Sequence, residues 1–377
     1  MAKEKVKKEE GEEVTLTPSQ QLQSFLKETK EDHYNFEQDH NYKVPCSSLL
    51  LTSTLAGGLT PGAHRFLGLA SGGKTSCALD FMYHFLRTPS PLGCERRASL
   101  IMSEGRLSKE VQERSGINFA FKAEDWLPNT CFVLQTNIYE VAFSFKRKFI
   151  SIPGLEMFFL TDCADSLIKR DDCRKPEEES ITVGSGSLIT SVFLKKVGLA
   201  MAKRGHIDIY ISQIRDQIKI NQYEVTTPKQ GKASGPRALE HQAGVVLEFL
   251  PRFGGDLIQE DGKKSKIEGH FCKCRIIKSD NEKNMVEVRY PVRYNQRGAK
   301  SVWLSYELVD CLILWEILKK KGAWLVFNEE FRAEIIKNLN RDEIPEQING
   351  VEKAREWVED NEDVQRFLFE KFKDLHM

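Results

Sequence analysis

The chain has 377 residues, of which 40% are hydrophobic and 29% charged, and its 55 Lys and Arg balance its 55 Asp and Glu. This composition excludes an intrinsically disordered chain, and zero net charge excludes nucleic-acid binding through a bulk positive field. No run approaches the roughly 18 apolar residues of a membrane span, and the charged amino terminus lacks a secretory pattern, so we expect a cytoplasmic protein.

The amino-terminal part is predicted to be a tail followed by a helical arm, together residues 1–43. Residues 1–13 are almost entirely charged and predict a disordered tail. Residues 17–19 (Thr-Pro-Ser) supply a helix cap and a first-turn proline, and apolar residues then recur at helical spacing to about residue 30. Phe25 and Leu26 on this helix could dock on a neighbouring copy and build an open filament, or the helix could fold back on its own core.

Between about residues 44 and 297, short β-rich runs alternate with longer amphipathic runs, which is typical of a parallel sheet with crossover helices. Strands are predicted at 65–67, 98–102, 131–134, 157–161, 207–212, 245–249, 271–277 and 286–290. Helices are predicted at 76–86, 107–115, 138–149 and 188–204. Two long segments, about 169–187 and 214–237, have no clear pattern, and long loops of this kind are usually functional or disordered.

After residue 298 the pattern is mainly helical, which predicts a small C-terminal domain over 298–377. Its helices are predicted at 308–321, 329–338, 351–359 and 364–375. The sequence therefore predicts an α/β fold, in which a mostly parallel twisted sheet flanked by helices carries an N-terminal helical arm and a small, mainly helical C-terminal domain.

The strongest motif is GLASGGKT at residues 68–75, which matches GxxxxGK[ST] between a predicted strand and a predicted helix. Its glycines let successive backbone N–H groups face a phosphate at the helix N-terminus. Lys74 would reach the β and γ phosphates, and the Thr75 hydroxyl would ligate Mg²⁺. The predicted nucleotide-binding residues are Gly68, Gly72, Gly73, Lys74, Thr75 and Ser76.

Three polar residues follow predicted strands and suit the chemistry of a magnesium–nucleotide site. Asp162 ends the strand at 157–161 and fits a metal-binding acid, although an acid at a plain strand edge would look the same. Glu104 follows the strand at 98–102 and could act as general base on water, or could be a solvated loop acid. Gln213 could sense a γ-phosphate and pass its presence to the loop behind it, or could be an ordinary surface residue.

The order and separation of these elements resemble the ATPase core of the RecA family of strand-exchange recombinases, over about residues 40–375. The likeness extends to segments outside the phosphate loop, namely 42–45, 55–62, 211–215, 235–243, 306–310 and 322–324. The lengthened loops look more like the large-phage branch of this family than the bacterial one. The resemblance implies a RecA-like P-loop core in a bacterial cytoplasm, and the phage branch would place it in a phage-infected cell.

The resemblance also implies roles for single residues. Lys74 and Thr75 would hold ATP phosphates and Mg²⁺, Asp162 would lie near the metal, Glu104 would activate water and Gln213 would be the switch.

Lys278 matches a lysine that the family projects across the subunit interface onto the neighbour's γ-phosphate, where it would neutralise transition-state charge. The family's second such lysine falls on Asp280, for which Lys283 or Arg275 could substitute. The positions that hold adenine in the family fall on Ser108 and Val111, so the mode of base recognition stays open.

In this family the loop after the switch lies on DNA. Residues 214–237 carry five basic and two acidic residues, a local charge of +3 that could anchor phosphates. Tyr223 could also stack on bases. Residues 169–187 carry a charge of −1, so only their backbone is a candidate for phosphate contact. The DNA-binding candidates are Arg215, Lys219, Tyr223, Lys229, Lys232 and Arg237.

The leading hypothesis is a DNA-dependent ATPase that polymerises on single-stranded DNA, pairs it with a homologous duplex and exchanges strands. Its partners would be both DNAs and further copies of itself, with a single-strand-binding protein and a loader as additional candidates. Two alternatives stay open: a RecA-fold hexameric helicase or motor that forms closed rings, and a non-hydrolysing ATP-binding paralogue that regulates filaments.

Overall fold

The computed structural model describes residues 17–33, 35, 40–105, 107–176, 185–215, 232–233, 237–259 and 266–373. The chain divides into two compact units, Met1–Gln38 and Asp39–Met377. Within the described residues, no helix combines the length and the apolar character that crossing a membrane requires.

The first unit contains helix α1 (Pro18–Glu28), which confirms the helix predicted for the arm. Thr17 caps it reciprocally: its hydroxyl accepts from the Gln20 amide (3.4 Å), and the Gln20 side chain accepts from the Thr17 amide (2.9 Å). Leu22 and Phe25 are more than half exposed. Docking of this helix on another copy stays a prediction.

The second unit is built on a large, mostly parallel sheet. Its strands are β1 (Gly62–Gly68), β2 (Glu95–Met102), β3 (Phe119–Ala120), β4 (Cys131–Gln135), β5 (Leu155–Asp162), β6 (Ile207–Arg215), β7 (Lys232–Ala233), β8 (Val246–Phe249), β9 (Leu257–Gln259), β10 (Ile267–Lys278) and β11 (Val286–Arg293). Neighbouring strands follow the order β11-β10-β8-β1-β6-β5-β2-β4-β3, with β7 added to β6 and β9 to β10.

Helices cover both faces of this sheet. They are α2 (Leu49–Thr54), α3 (Lys74–Arg87), α4 (Lys109–Ser115), α5 (Tyr139–Ile150), α6 (Arg170–Cys173), α7 (Ser185–Lys203) and α8 (Arg237–Gln242). Adjacent residues of β5 show the two faces: Phe158 packs on Phe85 of α3 with ring centroids 5.5 Å apart, whereas Phe159 lies 6.4 Å from Phe145 of α5. The α/β fold and all eight predicted core strands and four predicted core helices are confirmed.

The C-terminal region is mainly helical, as predicted, and also holds a small antiparallel sheet that the sequence analysis missed. Its elements are α9 (Leu304–Leu314), β12 (Leu318–Lys321), β13 (Trp324–Phe327), α10 (Glu329–Leu339), β14 (Gln347–Asn349), α11 (Val351–Asp360) and α12 (Glu362–Phe372). The helix predicted over 308–321 is therefore wrong beyond Leu314. Lysines favour helices, but Gly322 with φ +63° turns the chain so that Lys321 pairs with Trp324 across a two-residue hairpin loop.

A buried carboxylate joins α9 to the start of α2. Glu307 accepts from the Ser48 hydroxyl (2.7 Å) and from the amides of Leu49 (2.7 Å) and Leu50 (3.1 Å). Burial raises the pKa of Glu307 to about 7, against the three donors that favour its ionised form. The domain boundaries expected near residues 43 and 297 stay predictions.

Candidate active site

The carboxyl ends of four neighbouring strands bring the predicted site residues together. Gly68 at the end of β1 pairs with Gln213 of β6, and Asp162 at the end of β5 pairs with Met102 of β2. Because the strand order is β1-β6-β5-β2, these carboxyl ends lie side by side, and ligands of parallel α/β folds usually bind at the carboxyl ends of the strands.

The phosphate loop connects β1 to α3 and depends on glycine at both ends. Gly68 has φ +147°, and a Cβ there would lie 2.4 Å from the Phe249 carbonyl oxygen. Gly73 has φ +103° and directly precedes α3, and its Cβ would lie 2.9 Å from Cys272 Sγ. The loop therefore delivers the backbone to the N-terminus of a 14-residue helix, where free N–H groups favour an anion.

Lys74 is nearly buried beneath the loop. Its Nζ donates to the carbonyl oxygens of Gly68 (3.0 Å) and Leu69 (2.6 Å). Burial lowers the pKa of Lys74, and the nearby Asp162 carboxylate opposes this. The ammonium is thus held inside the curl of the loop, at the place where the sequence predicts phosphate.

Thr75 and Asp162 place two oxygen atoms of the kind that ligate Mg²⁺ next to each other. The Thr75 hydroxyl donates to Asp162 Oδ2 at 2.8 Å, and burial raises the pKa of Asp162, against the lowering effect of this hydrogen bond. Octahedral Mg²⁺, with bonds of about 2.0–2.1 Å, separates adjacent ligands by roughly 2.9 Å. The two oxygens therefore fit adjacent positions around Mg²⁺.

Glu104 lies next to this pair. Its Oε1 accepts a short hydrogen bond from the Ser166 hydroxyl and one of 3.5 Å from the Cys163 thiol, and Cys163 directly follows Asp162. Glu104 is otherwise exposed and follows β2 at the same carboxyl end of the sheet. The structure thus groups Lys74, Thr75, Asp162 and Glu104, while the roles assigned to them stay predictions.

Gln213, the predicted switch, is the last residue of β6 that pairs with β1, beside the phosphate loop. Its backbone amide donates to Asp165 Oδ2 at 2.6 Å. Asp165 belongs to a one-turn 3₁₀ helix, Ala164–Ser166, which follows β5. Sequence reasoning missed Asp165 and Ser166, because nothing in the spacing of a single turn after a strand marks them.

The cation expected to act on a neighbouring subunit does not lie at this site of its own chain. Lys278 pairs with Val246 at the start of β8, whereas Phe249 at the other end of β8 pairs with Gly68. Lys278 Nζ donates to the His241 carbonyl oxygen (2.9 Å).

The suggested substitutes for the second trans lysine differ in their surroundings. Arg275 is engaged by Glu287 and, at 3.4 Å, by Glu248, so its charge is already paired on the sheet surface. Lys283 follows the tight turn at Ser279, where Asn281 Oδ1 accepts from the Lys283 amide (3.3 Å). Neither contact tests a role on a neighbouring subunit.

A cavity of about 630 Å³ adjoins the phosphate loop and the start of α3. Ser108 is only the N-cap of α4, accepting from the Val111 amide (3.3 Å), whereas Val111 itself lines the cavity. The lining also includes four polar residues that sequence reasoning missed: Arg114, Arg252, His270 and Tyr294. They come from four distant places in the chain, and only the register of β10 and β11 brings the last two together.

His270, which lines this cavity, carries a polar atom without a hydrogen-bond partner. Its Nδ1 is buried without a hydrogen-bond partner, and its ring lies 5.4 Å from that of Tyr294. Burial, with a smaller contribution from Arg252, lowers the pKa of His270 to about 4, so the ring is neutral at pH 7. A neutral ring with an open nitrogen fits an uncharged heterocycle that offers hydrogen bonds.

The predicted DNA-binding segments are described only in part. The backbone of β6 continues past Gln213 and pairs with β7, Arg215 opposite Lys232, and Arg237 begins α8. Lys219, Tyr223 and Lys229 lie outside the described residues. In the first segment, the structure places α6 at Arg170–Cys173 and begins α7 at Ser185.

No family model matches the chain. The chain is similar to Protein RecA of Malacoplasma penetrans (strain HF-2), with 22% identity over 343 residues that cover 86% of this chain and 92% of that protein. It is 25% identical over 304 residues to Protein RecA of Mycoplasma mycoides subsp. mycoides SC, covering 78% of each, and 22% identical over 335 residues to Protein RecA of Porphyromonas gingivalis, covering 88% and 84%. Similarity at this level over most of each chain supports a relationship of this protein to the RecA family.

Proposed function

We propose that the protein is an ATP-dependent recombinase, which forms a filament on single-stranded DNA and promotes pairing and strand exchange with a homologous duplex. One observation carries the proposal. The residues suited to Mg–ATP, around Lys74 and Thr75, lie with Gln213 at the carboxyl end of the parallel strands. From Gln213, β6 leads directly into the basic segment predicted to bind DNA. The similarity to RecA proteins over most of the chain supports it.

In this proposal, Lys74 and the N-terminus of α3 bind the phosphates, and Thr75 with Asp162 holds Mg²⁺. Bound Mg²⁺ would neutralise negative charge on the phosphate oxygens. Glu104 would orient the attacking water and accept its proton, which its exposed carboxylate beside Asp162 permits.

Gln213 would report the state of the nucleotide to the DNA-binding segment. Its strand is registered on Gly68 of the phosphate loop, so a change at the loop acts directly on β6. DNA bound behind Gln213 would in turn act on the nucleotide site, because coupling between two sites is reciprocal.

Self-association is part of the same proposal. Lys278 lies away from its own phosphate loop, as a residue that serves a neighbouring subunit would, and the exposed Phe25 and the half-buried Leu26 are the candidate docking residues of the arm. A single-strand-binding protein and a loader are further proposed partners. The three relatives carry no mark of a phage branch, which stays a prediction.

The cavity beside the phosphate loop is proposed to bind the adenine base, with the His270 imidazole in its lining as a hydrogen-bonding group. We expect His270→Ala to weaken ATP binding about 5- to 30-fold, the effect of losing one hydrogen bond and a ring contact. Competition against a fluorescent ATP analogue measures this. Tripolyphosphate with Mg²⁺ is the control, since it lacks the base and should bind both proteins equally; an equal loss for both ligands would contradict the assignment.

Hydrolysis of ATP with and without single-stranded DNA tests the proposed function. We expect hydrolysis that DNA stimulates several-fold, because the DNA-binding segment begins at the switch residue. Electron microscopy of the protein with DNA and a slowly hydrolysed ATP analogue should then show helical filaments. Closed rings would favour the helicase alternative, and DNA binding without turnover the non-hydrolysing one.

A further inference from the structure

The one-turn helix Ala164–Ser166 touches both the predicted general base and the predicted switch. On one side, the Ser166 hydroxyl donates to Glu104 Oε1. On the other, Asp165 Oδ2 accepts from the Gln213 amide at 2.6 Å. Two adjacent residues of one turn therefore connect groups that lie on different strands of the sheet.

The Glu104 side of this connection is locked to the sheet. Ser103 Oγ accepts from the Cys163 amide (2.9 Å) and donates to the Cys163 carbonyl oxygen (2.7 Å). The Ser103 amide donates to the Asp162 carbonyl oxygen (3.0 Å). Hydrogen bonds thus join the ends of β2 and β5 one residue before Glu104. They restrict movement of the Glu104 backbone relative to Ser166.

On the Gln213 side, a hydrogen bond to the Asp165 side chain replaces backbone pairing with β5. Pairing between β5 and β6 ends at Thr161 and Tyr210, three residues before Gln213. Beyond that point the amide of Gln213 finds its acceptor in the Asp165 carboxylate. The link at this position is therefore a side chain, which can be changed without altering the backbone of β6.

A buried arginine supports the same junction. Arg65 on β1 is 2% exposed, and its Nε donates to the hydroxyl of Ser212, the residue before Gln213 (3.3 Å). Burial lowers the pKa of Arg65, and the Asp165 carboxylate is the largest opposing influence. Arg65 and Asp165 thus hold β6 from two sides at its exit from the sheet.

We propose that Asp165 and Ser166 are positioning residues that couple Gln213 to Glu104, so that movement of the switch strand shifts the carboxylate that acts on water. The inference rests on the proposed function, which gives Glu104 and Gln213 their roles. The displacement required is small, because misplacing a reacting group by about 1 Å can cost roughly 100-fold in rate. Two hydrogen bonds through one rigid turn transmit such a displacement.

The test compares Asp165→Ala with Asp165→Asn, because asparagine keeps a carbonyl oxygen that can accept from the Gln213 amide. In Asp165→Ala, the ratio of DNA-stimulated to DNA-free ATP hydrolysis should fall towards 1, with the affinity for an ATP analogue changed less than about twofold. Asp165→Asn should restore most of the ratio. The matched control is Asp125→Ala, an exposed acid in another one-turn 3₁₀ helix, which should keep the wild-type ratio.

A wild-type ratio in Asp165→Ala, or an equal loss in both Asp165 variants, would overturn the proposal. If DNA fails to stimulate the wild-type protein, the proposed function fails, and hydrogen exchange decides the coupling. The Mg–ATP analogue should then slow exchange in a peptide spanning residues 211–215 of the wild type, and Asp165→Ala should abolish that effect. The same nucleotide effect in both proteins would overturn the coupling.

Discussion

Replacing Lys74 with alanine is expected to lower ATP hydrolysis by about 100-fold or more, the scale of losing one preorganised electrostatic group at a reacting centre. Lys74 Nζ lies within the loop, 3.0 Å from the Gly68 carbonyl oxygen and 2.6 Å from that of Leu69, where β and γ phosphates are expected. A coupled-enzyme ATPase assay measures the rate. Lys122→Ala, which removes an exposed lysine, is the matched control and should hydrolyse ATP normally.

Glu104→Gln separates the two steps that Lys74→Ala disturbs together. Glutamine cannot accept a proton from water, but it leaves Lys74, Thr75 and Asp162 in place, so binding of ATP should persist while hydrolysis is lost. Full activity in Lys74→Ala would refute the nucleotide site itself. Normal turnover in Glu104→Gln would refute only the assignment of the general base.

The sheet could be predicted from the sequence because its strands are local apolar runs bounded by turn residues. Every residue of β5 from Leu155 to Thr161 is buried, so the run itself signals a strand covered on both faces. The error at 318–321 has the opposite origin. Four residues with helical propensity form β12 only because β13 pairs with them, and that partner lies beyond the local pattern.

The candidate site divides in the same way. Lys74, Thr75 and Asp162 could be predicted for the candidate site from the sequence, because a loop before a helix and an acid after an apolar strand are local signals. His270 and Asp165 were missed because each acts with groups far away in the chain. His270 lines a cavity beside the phosphate loop, and Asp165 accepts a hydrogen bond from the Gln213 amide.

The buried pair Lys146–Asp208 is another relationship of this kind and predicts the largest effect on stability. Both side chains are fully buried, and Lys146 Nζ lies 2.6 and 2.8 Å from the two Asp208 oxygens and 2.9 Å from the Thr161 hydroxyl. Lys146 lies on the buried face of α5 with Tyr139, Ala142, Phe143 and Ile150, and the sheet beneath supplies its acid 62 residues later in the chain.

Lys146→Met should lower the free energy of unfolding by about 3–5 kcal/mol, because it leaves the Asp208 charge buried and unpaired. Urea unfolding measures the change. The double variant Lys146→Met with Asp208→Leu should recover much of this loss, since it buries no charge. Lys148→Met, an exposed lysine on the same helix, should stay within about 0.5 kcal/mol of the wild type.

The deficit of Lys146→Met should also depend on pH. Burial already raises the pKa of Asp208 in the wild type, where Lys146 opposes it, so loss of the lysine raises this pKa further. When the pKa of Asp208 is higher in the folded than in the unfolded state, the folded protein keeps this proton to a higher pH. Stability is therefore lost as the pH rises through the folded-state pKa. The deficit should therefore be smaller at pH 5 than at pH 8. A pH-independent deficit would mean that lost packing, and not an unpaired charge, is what destabilises the variant.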